Sequence, residues 1–165
     1  MKILLRGAAL VLLLALGWWL RTIFFPSPEK VILKRMASLA ETVSFNAGAS
    51  SISRAAKALS FIGYFSADAQ IVVDVPELGA HTMSGRDEIR ETGNSAFAAL
   101  PGLRVAFLDT NVRVGADQQT ADVATTVSVR LGGDKDFNVE ELHFQWKKID
   151  GAWLVTRAET VKTLK

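Results

Sequence analysis

Apolar and polar positions fall along this chain in three regimes. The first is a continuous apolar run, MKILLRGAALVLLLALGWWLRTIFF, uncharged from Gly7 to Leu20 and bounded by Lys2 and Arg6 on one side and Arg21 on the other. Taken from Ile3 to Phe25 it is long enough, at ~1.5 Å per helical residue, to cross a hydrocarbon core of ~30 Å. The flanking arginines can reach the headgroups, and Trp18 and Trp19 suit the interfacial belt. No small-x-small cleavage site follows, so an uncleaved anchor over residues 1–25 is the expectation, with a cleaved signal peptide as its alternative. The short basic amino terminus predicts that the rest of the chain lies outside the cytoplasm, against a counter-pull from Arg21, Lys30, Lys34 and Arg35.

The second regime has helical spacing. After a short linker at 26–28, Ser27 and Pro28 make an N-cap and first-turn pair, and Ile32, Met36, Leu39 and Val43 recur on one face. Asn46-Ala47-Gly48 ends this helix. Ser51 is placed to cap a second helix whose expected buried face is Ile52, Ala56, Leu59 and Ile62. Ala69–Val75 reads as a lone strand halted by Pro76, followed by a loop through Gly79 and His81. Ser84 and Asp87 resemble a capping box for a third helix that stops at Pro101-Gly102.

The third regime alternates with period two. Ala106, Leu108, Val112 and Val114 form one predicted face, with Asp109 and Asn111 on the other. Ala121, Val123, Thr125, Val127, Val129 and Leu131 alternate against Asp122, Thr126, Ser128 and Arg130. Leu142, Phe144 and Trp146 alternate next, and Asp150-Gly151 is a hairpin turn before the last strand. Helices first, then strands with one apolar face, predict an α+β layer architecture: an anchor helix followed by one domain over 29–165 with three helices on a mostly antiparallel sheet.

Composition narrows the function classes. The formal charge is +2, but three basic residues flank the first run and all 17 acidic residues follow it, so the domain is near neutral. Nucleic acid is excluded as a partner because phosphate binding needs concentrated positive charge. With no cysteine and only His81 and His143, neither thiol chemistry nor a histidine-rich metal site is available, and no cofactor is expected.

Three stretches carry a resemblance: Tyr64–Val73 (YFSADAQIVV), Gly85–Arg90 (GRDEIR) and Trp146–Val155 (WKKIDGAWLV). In order and spacing they resemble the strand-entry, third-helix and final-hairpin segments of the nuclear transport factor 2-like (NTF2-like) superfamily, particularly its SnoaL-like branch. The likeness covers roughly residues 29–163. It implies a cone-shaped fold with a cavity between curved sheet and helices, and that fold hosts enzymes, ligand carriers and interaction modules alike. Many SnoaL-like members carry histidines four and six residues after the hairpin tryptophan; here those places hold Arg157 and Glu159, so an inherited reaction is not implied.

The candidate site residues follow. Arg157 and Glu159 share a strand face and form either a ligand clamp or a structural ion pair. His81, Asp109 and Glu159 are the acid–base candidates; Tyr64, Trp146, Trp153 and Arg157 are the candidate ligand contacts. His143 is expected to face away from the core, and Asp68 to order the corner into the first strand. The favoured function is a non-enzymatic accessory, scaffold or ligand-binding module at the membrane, with protein partners in the envelope, a homodimer through the sheet, or a small hydrophobic ligand. The alternative is an isomerase- or hydratase-type enzyme working in the cone cavity.

Overall fold

A computed structural model of the chain describes residues 26–75, 79–132 and 138–161, so the apolar run over 1–25 lies outside the described residues. Among the described residues, no helix is long and apolar enough to cross a membrane. The elements are α1 (Pro28–Val43), α2 (Ser51–Ile62), β1 (Phe65–Val75), β2 (Gly79–Ser84), α3 (Arg86–Ala99), β3 (Leu103–Val114), β4 (Thr120–Leu131), β5 (Asn138–Ile149) and β6 (Ala152–Thr160). The six strands form one sheet in the order β2-β1-β6-β5-β4-β3. All neighbours are antiparallel except β1 and β6, which run parallel, with one helix and four strands between them in the chain.

The core forms where the two periodicities meet. Ile32 and Met36 of α1 and Ile89 of α3 pack on the sheet face made by Ala121, Val123, Phe144, Trp146, Trp153 and Val155. Each full burial of a large apolar side chain contributes ~1.5–3 kcal/mol, so this layer dominates the fold's stability. A second cluster, Phe45, Ala58 and Phe97, joins the helices at one end, with the Phe45 and Phe97 rings stacked at 5.4 Å. The predicted α1 stripe and β4 alternation are both observed. Asp150 (φ 49°) and Gly151 (φ 82°) both adopt left-handed backbone, as the two-residue turn between β5 and β6 requires.

Several local expectations are corrected. The strand foreseen as isolated begins at Phe65 and pairs with both β2 and β6. His81 is in β2 opposite Val73, not in a loop, because Gly79–Ser84 pairs antiparallel with the end of β1. The helix foreseen to end at Asn46-Ala47-Gly48 stops at Val43, after which Phe45 bridges to Leu103. Ser50, not Ser51, caps α2, its hydroxyl accepting from the Ser53 amide at 3.2 Å. Gly85 is the N-cap of α3, and the reciprocal contact comes from Glu88, whose carboxylate accepts from the Ser84 amide at 2.7 Å, rather than from Asp87.

The face of α2 is also corrected: of Ile52, Ala56, Leu59 and Ile62 only Ile62 packs on the core. Ile52 and Leu59 are 81% and 63% exposed, while Ala58 is buried. This helix packs chiefly on α3 and α1 and reaches the sheet only near its C-terminal end, through Phe61 and Ile62. Neither of those helices has a basic residue in its last turn. Across the contact, α2 supplies the missing cations: the Arg54 guanidinium donates to the carbonyls of Ala98 and Leu100, and the Lys57 ammonium to that of Glu41 at 3.0 Å. Orphan C-terminal carbonyls of two helices are satisfied this way, which fixes the side of α2 that turns inward.

Candidate functional site

Among the described residues, a wholly apolar cleft of about 170 Å³ lies between α1, α2 and strands β1, β3, β5 and β6. Leu39 and Val43 come from α1, Phe61 from α2, and Phe65, Phe107, Leu142, Phe144 and Ala158 from the sheet. Two edge-on aromatic pairs frame it, Phe61–Phe65 at 4.8 Å and Phe107–Phe144 at 5.8 Å. Phe61 and Leu39 reach it because they lie on the inward sides of their helices. The sheet residues reach it because period-two alternation directs them to the helical side. Glu159 is the one titratable residue that borders the cleft.

The carboxylate of Glu159 is already engaged. One oxygen accepts from Arg157 Nε at 2.8 Å, and the other lies 3.6 Å from His143 Nδ1. Arg157 Nη1 also donates to Gln70 at 3.0 Å, and His143 Nε2 lies 3.5 Å from Asp122. Gln70, Arg157, Glu159, His143 and Asp122 thus form a polar ladder across β1, β6, β5 and β4. It lies on the sheet face turned away from the helices. A register shift in the β5–β6 pairing, Gln145 opposite Arg157 but Trp146 opposite Val155, leaves Thr156 as an extra residue and sets this parity.

The hydrogen bond from Arg157 is the main reason the Glu159 carboxyl titrates below its ordinary value of 4.5. The linkage sign follows: the ladder's contribution is complete above that value and is lost as pH falls through the lowered one. Both side chains are about one-third exposed, so the contribution is expected to be ~0.2–1 kcal/mol. Denaturant midpoints of the parent and of Glu159→Gln should differ by that small amount at neutral pH and converge in acid.

The other candidates are dispersed. Asp109 is exposed at φ 48°, where a bulge shifts the β3–β4 register between Leu108 and Asn111. This overturns the first half of the predicted β3 face: Leu103, Val105 and Phe107 point inward while Ala106 and Leu108 point outward; beyond the bulge Val112 and Val114 face inward as predicted, with Asp109 and Asn111 opposite. The buried hydroxyl of Thr125 holds the bulge by donating to the Leu108 carbonyl at 2.9 Å and contacting the Thr110 hydroxyl at 2.8 Å. Asp109 therefore borders a shallow outer depression with Asn111, Thr126 and Glu141, not a desolvated pocket. His81 is exposed on the edge strand.

Trp146 and Trp153 are 1% and 3% exposed within the core, and neither lines the cleft. Tyr64 is half-buried; its ring sits 5.0 Å beneath the Arg35 guanidinium and its hydroxyl 3.3 Å from that of Thr42. Asp68 accepts from the Ser66 hydroxyl at 2.7 Å, the main reason its carboxyl is lowered. The Arg86 guanidinium donates to the Phe65 carbonyl, tying the start of α3 to the start of β1. Sequence reasoning missed Gln70 and Asp122 as ladder partners and most of the cleft wall. Alternation assigns residues to faces, but it does not align one strand with the next. Among the described residues no cluster of His, Asp or Glu is arranged to hold a metal ion.

No family model and no curated protein matches the chain. Solved structures do. An NTF2-like protein with a cystatin-like fold from Novosphingobium aromaticivorans superposes with a TM-score of 0.64 at 17% identity, over 88% of this chain and 86% of that one. A domain of unknown function with a cystatin-like fold from Nostoc punctiforme gives 0.61 at 19% identity, over 85% and 80%. An NTF2-like protein of unknown function from Pseudomonas putida gives 0.55 at 12% identity, over 70% and 83%. Together with three helices on a curved mixed sheet, these likenesses give the chain the NTF2-like, cystatin-like cone fold.

Proposed function

We propose that this chain is a membrane-anchored NTF2-like domain that binds a small apolar ligand or a protein partner and catalyses no reaction. One observation carries the reading: the cone cleft is walled by apolar side chains, and Glu159, the one titratable residue of its lining, turns its carboxylate to the opposite sheet face, where Arg157 and His143 hold it. General acid–base catalysis needs a proton carrier within hydrogen-bond reach of the reacting atom. His81 and Asp109, the remaining candidates, are exposed on other surfaces. An apolar cavity of roughly 150 Å³ admits a benzene-sized molecule, so the cleft suits a single ring or a short acyl segment.

A scaffold role draws support from the outer sheet face. Leu108, Val139 and Val161 are each more than 40% exposed there, between small residues such as Ala106 and Ala124, and such a patch suits a partner sheet, including that of a second copy. The anchor over residues 1–25 and an extracytoplasmic domain complete the reading. Reporter fusions at the C-terminus test the orientation; an active cytoplasmic reporter with a silent export-dependent one would reverse it.

The ligand reading is tested by titrating the full chain with a hydrophobic fluorescent probe. Ala158→Phe, which fills the cleft, is expected to weaken probe binding at least tenfold while the circular dichroism spectrum is retained. Undiminished binding in that variant would place the ligand elsewhere. Turnover of an enolisable carbonyl compound that disappears in His81→Ala, Asp109→Asn or Glu159→Gln would replace this reading with the enzymatic one.

A further inference from the structure

The outward side of α2 has chemistry that neither the cleft nor the sheet explains. Ile52 and Leu59, at 81% and 63%, are the two most exposed large hydrophobic side chains among the described residues. They lie seven residues apart, with exposed Ala55 and Ala56 between them, so the four make one continuous helical stripe. Single exposed leucines are ordinary on protein surfaces, whereas a stripe at helical spacing marks a contact. The helix SISRAAKALSFI contains no acidic residue and two basic ones, Arg54 and Lys57. On α1, Leu33 is 42% exposed beside exposed Lys30 and Lys34.

We propose that this stripe is a membrane-docking surface: α2 lies on the bilayer that holds the chain's own anchor, with Ile52 and Leu59 entering the headgroup–acyl boundary. The inference rests on the anchored reading above and specifies how the domain sits once anchored. Its occupant is set by where the described chain begins. The apolar run ends at Phe25, and only Pro26 and Ser27 separate it from α1. So short a tether holds the domain at high effective concentration beside the lipid, where a stripe too small to bind a free protein to a membrane is sufficient. Arg54 and Lys57 face inward on the carbonyls of α3 and α1, so the cations open to anionic headgroups are the exposed Lys30 and Lys34 in the first turns of α1, just after the apolar run.

A second copy fits the stripe poorly. From Ile52 to Leu59 a helix advances only ~10 Å. A stable dimer buries about 800 Å² on each partner, far more than this ridge offers. The outer sheet face is the broader surface for that purpose.

The chain has no cysteine, so single labels can be placed cleanly. Full-length Ile52→Cys, Leu59→Cys and, as control on the far sheet face, Ala106→Cys would each carry an environment-sensitive fluorophore. They are reconstituted in phosphatidylcholine–phosphatidylglycerol vesicles containing a spin-labelled lipid quencher. Quenching at 52 and 59 is expected to exceed that at 106 at least twofold and to fall when the anionic lipid is omitted. A chain that floats with the vesicles but leaves all three labels equally unquenched overturns the docking proposal alone. A chain that does not float overturns the anchor reading, and the proposal with it. Shielding of 52 and 59 that grows with protein concentration, without lipid quenching, would assign the stripe to a second copy and likewise overturn it.

Discussion

Replacing Trp146 with alanine is expected to cost ~3–5 kcal/mol, the range for removing a large aromatic side chain from a packed core. The residue is 1% exposed, on β5 opposite Ala121 and Val155, in the cluster that takes Ile32 and Met36 from α1 and Ile89 from α3. Few small neighbours can close the space, because Ala121 and Val155 are held in the strand ladder. A single domain has ~5–15 kcal/mol in total, so the variant should unfold at much lower denaturant. Trp146→Phe isolates the polar contribution. The indole N–H is buried and has no hydrogen-bond acceptor among the described residues, which phenylalanine in its place does not need. Its cost should stay below ~1.5 kcal/mol. Urea midpoints at unchanged slope measure both. A small effect of alanine, combined with lost ligand affinity, would return Trp146 to the cavity wall that sequence alone allowed.

That residue illustrates what the sequence carries and what it does not. Ile32, Met36 and Leu39 were legible because a helix on a sheet repeats its buried face every three or four positions. Ala121, Val123, Thr125 and Val127 were legible because β4 is central and regular. The hairpin at Asp150-Gly151 followed from turn chemistry alone. Illegible were the irregularities between Phe65 and Gln70 in β1, at Asp109 in β3 and at Thr156 in β6. The last two insert one residue each, and one residue exchanges every later side chain between faces. The same-face spacing of Arg157 and Glu159 was therefore readable, but the choice of face was not. The cleft was half-legible: a cavity followed from the resemblance, but its apolar wall depends on strand register. For α2, the apolar pattern pointed Ile52 and Leu59 inward. The structure turns Ala58, Arg54 and Lys57 inward instead, because carbonyls at the ends of two other helices lie there.

Long-range backbone approach is the remaining gap, and it yields the second large effect. Gly102 and Gly132 read locally as a helix stop and a turn, roles that tolerate substitution. In the fold they meet: the Gly132 amide donates to the Gly102 carbonyl at 2.8 Å. A Cβ on Gly132 would lie 2.9 Å from both the Cα and the amide nitrogen of Gly102, and one on Gly102 would lie 2.9 Å from the Ala47 amide nitrogen. All of these neighbours are backbone, so no side chain can swing aside. Gly102→Ala and Gly132→Ala are each expected to cost ~1–3 kcal/mol, as overpacking does. Gly48→Ala supplies the contrast, because its Cβ would meet nothing within 4 Å and its φ of 92° is the sole obstacle. That left-handed backbone alone costs ~1–2 kcal/mol. The discriminating quantity is the double variant. Gly102 and Gly132 share one contact, so relieving it once should relieve it for both, and their combined cost should fall short of the sum by at least ~0.5 kcal/mol. Gly48 paired with Gly132 should be additive. Strict additivity in the first pair would mean that the two loops yield independently and do not clasp the ends of α3 and β4.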